Sequence, residues 1–261
     1  MPPTASGRAA GRRAAAAVTE PVTLERAGAA AVLTIDRQER RNAVDGPTAE
    51  RLAEGFDSFE ADDDARVLVL TGAGGVSFCA GADLKALETL DPDAAAGPMG
   101  FSRLTPAKPA IAAIGGWCVA GGLELALWCD LRVADETSQF GCLERRWGVP
   151  LIDGGTQRLP RVVGLGRALD LILTGRTVAA DEALLMGLVN EVVPAGAHLA
   201  RALELAEAIA AFPQETMLSD REAAHASLGL PIDQGLALEA RLGRRRLTGA
   251  LEGARRFRVR P

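Results

Sequence analysis

The chain has 261 residues, is 48% hydrophobic and carries a formal net charge of −5. This size allows a sizeable core in one large domain, and the charge argues against a protein that works mainly by binding nucleic acid. No run approaches the roughly 18 apolar residues that a membrane-spanning helix requires. The four cysteines show no paired spacing, which indicates reduced thiols in a cytoplasmic protein.

The first segment, residues 1–19, contains three arginines and no acidic residue. Organellar targeting peptides share this composition. The whole chain, however, is rich in alanine and prefers arginine to lysine, so the bias is not special to this segment. We therefore expect residues 1–19 to form a disordered tail rather than a targeting signal.

The first half of the core alternates between strands and helices. "VTLERAGAAAVLTIDR" predicts two strands around Gly28, and the helical spacing of Leu52, Phe56 and Phe59 predicts a helix that starts near Pro47. "VLVLTGAGG" predicts a buried strand that ends in a glycine turn. "DLKALETL" predicts a short helix, and "PAIAAIGG" predicts the next strand.

The second half continues with the strand "DLRVA", the strand-like "FGCLE", short helices near residues 157–163 and 167–173, and "DEALLMGLVNEVV" as helix then strand. From about residue 197 only helices are predicted, with breaks at Pro213 and Pro231. This order predicts an α/β core over residues 20–196 and a helical region over residues 197–261.

Several common catalytic motifs are missing. The glycines after "VLVLT" lack the third glycine of a dinucleotide fingerprint, and no Gly-Lys-Ser/Thr follows as in a phosphate-binding loop. There is no Gly-x-Ser-x-Gly, and both histidines, His198 and His225, fall in the helical region. No Cys/His cluster suits zinc. The arginines at 244–246 and 255–256 are interpreted as a solvated or subunit-facing surface.

The segment "CVAGGLELALWCD", residues 118–130, is apolar except for two glycines and one glutamate near its start. Glycine weakens a helix interior, and a buried carboxylate needs a partner or an altered protonation state. In one interpretation, Gly121 and Gly122 begin a helix, and Glu124 interacts with the helix dipole from the first turn. In the other, the backbone amides and the acid are directed at a bound molecule.

Four fragments occur in order at suitable separations: "RRNAVD", "FCAGADL", "AGGLELALWCD" and "GGTQRLP". Together they resemble the crotonase, or enoyl-CoA hydratase/isomerase, superfamily, and the similarity extends from about residue 22 to residue 257. The resemblance implies an α/β fold in which repeated ββα units form a spiral, with C-terminal helices that build a homotrimer or a dimer of trimers. It also implies an acyl-CoA thioester substrate and no metal or redox cofactor.

The resemblance also implies the residues of the active site. Two backbone N–H groups form an oxyanion hole in this family, and the matching positions are Ala82 and Gly121. The two hydratase glutamates match Glu124 and Glu144, which favours the catalytic interpretation of Glu124. The CoA and thioester path is expected along residues 80–85, with Ala80, Asp83, Leu84 and Lys85 as substrate-binding residues.

The chemistry suits these positions. Protonation or deprotonation next to a thioester carbonyl puts negative charge on its oxygen, and two preorganised N–H donors stabilise that charge. Hydration also needs one carboxyl group to hold or deprotonate water and another to protonate the α-carbon. By resemblance Glu144 is the proton donor and Glu124 orients the water. Burial and like charge should drive the two pKa values apart.

Asp153 departs from the usual hydratase pattern, because many hydratases have a small residue there. The dienoyl-CoA isomerase branch has an aspartate at this place, so Asp153 could carry a proton along the acyl chain. Alternatively, it caps the helix that begins at Gly154. Arg145, directly after Glu144, could hold that glutamate ionised, but strand alternation would place it on the opposite face.

These observations lead to three hypotheses. The first is an enoyl-CoA hydratase, a lyase that adds water across the 2,3-double bond of a 2-enoyl-CoA. The second is a double-bond isomerase that relies on Asp153. The third is a non-catalytic or RNA-binding scaffold. Against the third stand the presence of Glu124 and Glu144 and the lack of a lysine-rich patch.

Overall fold

Two β-sheets form the centre of the molecule. The structure is a computed structural model that describes residues 20–258, so the tail expected at residues 1–19 lies outside the described residues. The larger sheet has the order β1-β2-β3-β5-β7-β10 and the smaller sheet the order β4-β6-β8-β9. The strands are β1 (Val22–Ala27), β2 (Ala30–Ile35), β3 (Val67–Gly72), β4 (Ser77–Cys79), β5 (Ala110–Ile114), β6 (Trp117–Val119), β7 (Leu131–Asp135), β8 (Gln139–Gly141), β9 (Val178–Ala179) and β10 (Glu191–Val193).

Successive strand pairs wind the chain into a spiral. The pairs β3–β4, β5–β6 and β7–β8 each place one strand in the larger sheet and the next in the smaller sheet. Within each sheet these strands are parallel neighbours, whereas β1–β2 and β8–β9 pair antiparallel. This arrangement is the predicted spiral of repeated ββα units.

Helices follow the strand pairs and then make up the C-terminal region. They are α1 (Gly46–Ala61), α2 (Gly121–Trp128), α3 (Gly155–Val163), α4 (Leu165–Thr174), α5 (Ala180–Leu185), α6 (His198–Ala210), α7 (Gln214–Ser227), α8 (Ile232–Arg244) and α9 (Leu247–Arg258). The breaks predicted at Pro213 and Pro231 are confirmed, because each proline directly precedes the first residue of a helix. Within residues 20–258, no helix is long and apolar enough to cross a membrane.

The larger sheet is buried on both faces, which explains the continuous apolar run of β3. Val67 and Val69 pack with Ala202 and Ala206 of α6 on one face. Alternate residues such as Leu68 belong to the main core between the sheets. Parallel strands that are covered on both faces are apolar throughout. The spacing of apolar residues in β3 therefore does not indicate which face packs on α6 and which faces the main core.

Two local predictions are wrong. "DLKALETL" forms only the short 3-10 helix Leu87–Thr89, since Leu84 and Leu87 are exposed and have no core to pack against as a helix face would. "FGCLE" is a strand only through Gly141, after which the chain turns into the 3-10 helix Leu143–Trp147. Both departures occur beside the same cavity.

Candidate active site

The candidate site lies where three strands of the smaller sheet end. Because β4, β6 and β8 are parallel neighbours, the segments that follow them meet at one edge of the sheet. Ala82 lies just beyond β4, Gly121 just beyond β6, and Glu144 just beyond β8. The fold therefore brings together three predicted site residues that are far apart in sequence.

The N–H group of Ala82 makes no hydrogen bond to Val44, the residue with which Ala82 pairs. Asp83 N donates to Val44 O at 2.8 Å, and Val44 N donates to Gly81 O at 2.8 Å. Ala82 pairs with Val44 in a parallel bridge, so the hydrogen bonds to Val44 come from the residues on either side of it. The Ala82 N–H itself donates to no acceptor within residues 20–258. It is free to bind an external acceptor.

The Gly121 amide is the first of helix α2 and likewise has no acceptor within the part of the chain that the structure describes. The preceding residue, Ala120, has φ 52° and ψ −130°. A non-glycine residue in this region stores roughly 1–3 kcal/mol of strain, which the surrounding structure must offset. The strained turn directs the start of α2, with its partial positive charge, toward the segment after β4.

Close backbone packing explains the glycines. A Cβ atom on Gly122 would lie 2.0 Å from the Cys79 carbonyl oxygen, and one on Gly81 would lie 2.7 Å from the Gly121 nitrogen. Both distances are impossible contacts, so glycine is required for α2 to approach the end of β4. Gly81, the residue before Ala82, therefore packs directly against the Gly121 nitrogen, and we expect the two amides to serve one acceptor, as an oxyanion hole requires.

Glu124 is only 3% exposed and points from the first turn of α2 toward the start of α3. Its Oε1 atom accepts hydrogen bonds from Asp153 N at 3.0 Å and Gly155 N at 2.7 Å. Burial raises the pKa of Glu124 to about 8, with a further contribution from the negative charge of Asp153, while the two N–H bonds oppose the shift. Glu124 therefore interacts with the start of two helices. It lies in the first turn of α2, and its carboxylate accepts a hydrogen bond from the first N–H group of α3.

Glu144 lies on the 3-10 helix Leu143–Trp147 and is 6% exposed. Neither carboxyl oxygen has a hydrogen-bond partner within residues 20–258. Burial raises the pKa of Glu144, and the Arg145 charge opposes this only in part. The segment is not a strand, yet Arg145 does face away, because its guanidinium donates to the Ile172 carbonyl oxygen at 3.3 Å. An unpartnered buried carboxyl group is costly, and it indicates a functional position.

Asp153 does not cap helix α3, so that interpretation is wrong. The N-cap residue is Gly154, with φ 101° and no side-chain cap. The Glu124 carboxylate takes the place of a cap, because it accepts the Gly155 N–H. The Asp153 side chain turns the other way and accepts hydrogen bonds from Met99 N at 3.0 Å and from the Ser102 hydroxyl. Burial raises the pKa of Asp153.

A cavity of about 620 Å³ connects these groups. Glu124, Glu144 and Asp153 line it, as do the oxyanion-hole candidates Ala82 and Gly121. The rest of the wall is mainly apolar and includes Leu84, Leu90, Met99, Trp147 and Val149. This size and character suit a largely apolar ligand that presents one polar group to the two amides.

The predicted substrate-binding segment lines the cavity only in part. Ala80 and Leu84 lie on the wall. Asp83 does not, because its buried carboxylate pairs with Arg37 at 3.2 Å and accepts the Lys85 N–H at 3.1 Å. Lys85 is exposed outside the cavity. A contact between Lys85 and the CoA moiety stays a prediction.

Sequence reasoning missed Met99, Ser102 and Arg158. Met99 lies on the cavity wall, and Arg158 donates to the carbonyl oxygens of Asp153 at 2.9 Å and Ser102 at 2.7 Å. Arg158 lies in the fragment "GGTQRLP" but was given no role there, and Met99 and Ser102 lie in no recognisable motif. The sequence feature that could have indicated them is Asp153, because a carboxylate that becomes buried needs hydrogen-bond donors from elsewhere in the chain.

Comparison with known proteins agrees with this geometry. The solved structure of enoyl-CoA hydratase EchA1 from Mycobacterium marinum superposes with a TM-score of 0.87 at 36% identity, covering 92% of this chain and 96% of that one. The fold is therefore the crotonase fold. The family profile described as enoyl-CoA hydratase/isomerase matches residues 25–256, and the chain belongs to that family.

Two curated relatives show how far the similarity extends. The short-chain-enoyl-CoA hydratase of Clostridium acetobutylicum is 37% identical over 225 residues, which cover 84% of this chain and 86% of the relative. Enoyl-CoA hydratase EchA19 of Mycobacterium tuberculosis is 41% identical over 197 residues, covering 72% and 74% respectively. The similarity covers nearly the whole core.

Proposed function

We propose that the protein is an enoyl-CoA hydratase that adds water across the 2,3-double bond of a 2-enoyl-CoA thioester. The observation that carries the proposal is one cavity lined by Glu124 and Glu144, both buried, and by Ala82 and Gly121, whose N–H groups have no acceptor within residues 20–258. The relatives named as enoyl-CoA hydratases support it. The reaction is neither an oxidation nor a reduction and therefore needs no redox cofactor, and we propose that the two amides and two carboxyl groups act without a metal ion.

The proposed mechanism balances protons between the two glutamates. The thioester oxygen accepts hydrogen bonds from the N–H groups of Ala82 and Gly121, which draws electron density from the 2,3-double bond. Water held by Glu124 adds through its oxygen to C3 and gives a proton to that carboxylate. Glu144 delivers a proton to C2, and exchange with solvent restores both glutamates. The amides stabilise the transient enolate charge, a contribution typically worth about 100- to 1,000-fold in rate for each donor.

The hydrogen bonds support the assignment of roles. Glu124 Oε1 accepts two main-chain N–H bonds, which stabilise a carboxylate. Glu144 receives no such donors from residues 20–258, which favours its protonated form. Burial raises the pKa of both groups, so we propose that together they hold one proton near neutral pH and titrate as a pair, and the pKa of about 8 at Glu124 then describes the loss of that shared proton.

The isomerase alternative rests on the presence of Asp153 in the cavity wall. In that reaction Asp153 would remove a proton from one carbon of the acyl chain and return it to another, with no addition of water. Its Oδ1 atom already accepts hydrogen bonds from two donors, which favours a positioning role over proton transfer.

We propose a homotrimer or a dimer of trimers in the cytoplasm. Exposed apolar side chains on the C-terminal helices support self-association, among them Ile232, Leu251 and Phe257. The four cysteines are all free, which fits a reducing compartment. Analytical ultracentrifugation tests the assembly directly, and a monomer at micromolar concentration would contradict it.

The function is tested by the loss of conjugated thioester absorbance when the purified protein meets crotonyl-CoA. We expect hydration in the wild type and a loss of about 100- to 10,000-fold in Glu124→Gln and in Glu144→Gln. Glu88→Gln is the matched control, since Glu88 is exposed on the 3-10 helix near the cavity mouth. Unchanged rates in both active-site variants would refute the assignment. RNA binding above the nonspecific level would instead favour the scaffold hypothesis.

A further inference from the structure

One wall of the cavity is an irregular loop over residues 91–104. It contributes Pro92, Pro98 and Met99 to the cavity, but it contains no helix or strand of its own. The Met99 side chain borders the oxyanion-hole candidate, since a Cβ atom on Gly121 would lie 3.3 Å from Met99 Cε. The position of this loop therefore affects both the acyl cavity and the amide beside it.

The loop is tied to the start of α3 by buried polar contacts. Asp153 Oδ1 accepts hydrogen bonds from Met99 N at 3.0 Å and from the Ser102 hydroxyl, and Ser102 is fully buried. Arg158 donates to the Ser102 carbonyl oxygen at 2.7 Å and to the Asp153 carbonyl oxygen at 2.9 Å. Gly154 leaves space for that guanidinium, because a Cβ atom there would lie 2.2 Å from Arg158 Nη1.

The same residue also holds the acid. The Asp153 N–H donates to Glu124 Oε1 at 3.0 Å. Asp153 thus contacts the loop over residues 91–104 through its side chain and the catalytic candidate Glu124 through its main chain. A shift of a few tenths of an ångström at Asp153 would be felt at both places.

We propose that Ser102, Asp153 and Arg158 form a positioning network that fixes the acyl-cavity wall relative to Glu124, and that Asp153 does not carry protons in the reaction. This inference rests on the proposed function, because it assigns a role in the hydratase site. In this network Asp153 acts as a hydrogen-bond acceptor, so the position of its side-chain oxygen matters more than its negative charge.

A pair of substitutions separates the two roles. In Asp153→Asn the side-chain oxygen still accepts from Met99 N and Ser102, so we expect kcat/KM for crotonyl-CoA to stay within about threefold of wild type. In Asp153→Ala two buried donors lose their acceptor, and we expect kcat/KM to fall about 10- to 100-fold. Ser102→Ala removes one bond and should cost about 3- to 10-fold.

A proton carrier would behave differently. Asp153→Asn and Asp153→Ala would then both abolish migration of a 3-enoyl-CoA double bond and would both spare hydration. That pattern would overturn the proposal. Equal and large losses of hydration in Asp153→Asn and Asp153→Ala would overturn it as well, because the acceptor geometry would then not be what matters.

The pH dependence of kcat/KM separates this role from general structural damage, because damage would not shift the profile in one predicted direction. The ionisable groups that influence Glu124 or lie near it are Asp153, Glu144, Arg158 and Cys142. The charge of Asp153 raises the pKa of Glu124. We therefore expect Asp153→Asn to move the alkaline limb of kcat/KM to lower pH, and an unmoved limb would count against the contact.

Hydrogen–deuterium exchange tests the network independently of any activity. The Met99 amide is bound to Asp153, so a peptide covering residues 97–104 should exchange faster in Asp153→Ala and as in wild type in Asp153→Asn. Equal exchange in all three proteins would refute the network. Failure of the wild type to hydrate any 2-enoyl-CoA would refute the proposed function, while the exchange result would still decide the network. Glu88→Gln again provides the control.

Discussion

The two sides of the cavity are built by different means. On one side, main-chain N–H groups at Ala82 and Gly121 are positioned by backbone packing, with the strained turn at Ala120 between strand and helix. On the other side, the side chains of Glu124 and Glu144 supply the chemistry. The amide side depends on the absence of Cβ atoms, whereas the carboxyl side depends on burial and hydrogen bonds.

This difference determines how each side can be disrupted. On the amide side the hydrogen-bond donors are the main-chain N–H groups of Ala82 and Gly121, which a side-chain substitution at these residues does not remove. They must therefore be displaced by substitutions at neighbouring residues. The carboxyl side responds to isosteric acid-to-amide changes that leave packing intact.

The amide side should respond most strongly to Gly122→Ala. Because the new Cβ atom would lie 2.0 Å from the Cys79 carbonyl oxygen, α2 must shift and move the Gly121 N–H. We expect the kcat for hydration of crotonyl-CoA to fall about 100- to 1,000-fold. The matched control is Gly166→Ala in α4, where a Cβ atom meets nothing within 4 Å. Similar rates in both variants would contradict the packing argument.

The carboxyl side should control the pH dependence. The reaction needs one proton on the pair of Glu124 and Glu144, and we expect this shared proton to be lost with the pKa of about 8 found at Glu124. We expect kcat/KM to fall as pH rises through about 8, approaching tenfold per pH unit above it. In Glu124→Gln the residual activity should lose its proton from Glu144 alone, at lower pH. An alkaline limb that does not move would show that Glu124 is not part of the titrating pair.

The burial of Glu124 should also make the free energy of unfolding depend on pH. The buried pair of Glu124 and Glu144 keeps a proton up to the pKa of about 8 found at Glu124, whereas the unfolded chain releases it near 4.5. The unfolded state therefore binds fewer protons in this window, and the free energy of unfolding falls as pH rises from about 5 to 8. We expect Glu124→Gln to be more stable than wild type by roughly 1–3 kcal/mol at pH 8 and to lose this advantage toward pH 5. Urea unfolding at both pH values measures the difference; a constant offset would contradict it.

The smallest effect is expected at the strained residue between the two sides. Ala120→Gly relieves the positive φ of 52° but removes a buried methyl group, so the free energy of unfolding should change by no more than about 1 kcal/mol. Ala120→Val should lose more than about 2 kcal/mol, since a β-branched side chain tolerates this conformation poorly. Equal stability of the two variants would show that the turn is unstrained.

The sequence indicated residues of the amide side and of the carboxyl side that do line one cavity, and their roles stay predictions. Gly121, Gly122 and Glu124 lie in one local motif whose glycines have no other evident purpose in a buried helix. The strand order that brings Glu144 to them followed from the resemblance and is confirmed by the spiral. Motif and topology therefore sufficed where the needed contacts are local or lie at the ends of neighbouring strands.

The predictions failed where the contacts are distant and specific. Asp153 was expected to cap α3, but its carboxylate binds Met99 and Ser102 more than 50 positions away. "DLKALETL" was expected to be a helix, but Leu84 and Leu87 line the cavity instead of packing on the core. Local propensity cannot indicate that a side chain is reserved for a ligand or for another loop.

In the proposed mechanism the Ala82 and Gly121 amides polarise one thioester oxygen. The direct test is the infrared carbonyl stretch of butyryl-CoA, labelled with carbon-13 at the thioester carbonyl, bound to the protein; this saturated ester cannot be hydrated. We expect a stretch at lower frequency than in water, kept in Glu144→Gln and lost in Gly122→Ala. A bound ester whose frequency matches the free one in the wild type would contradict the account.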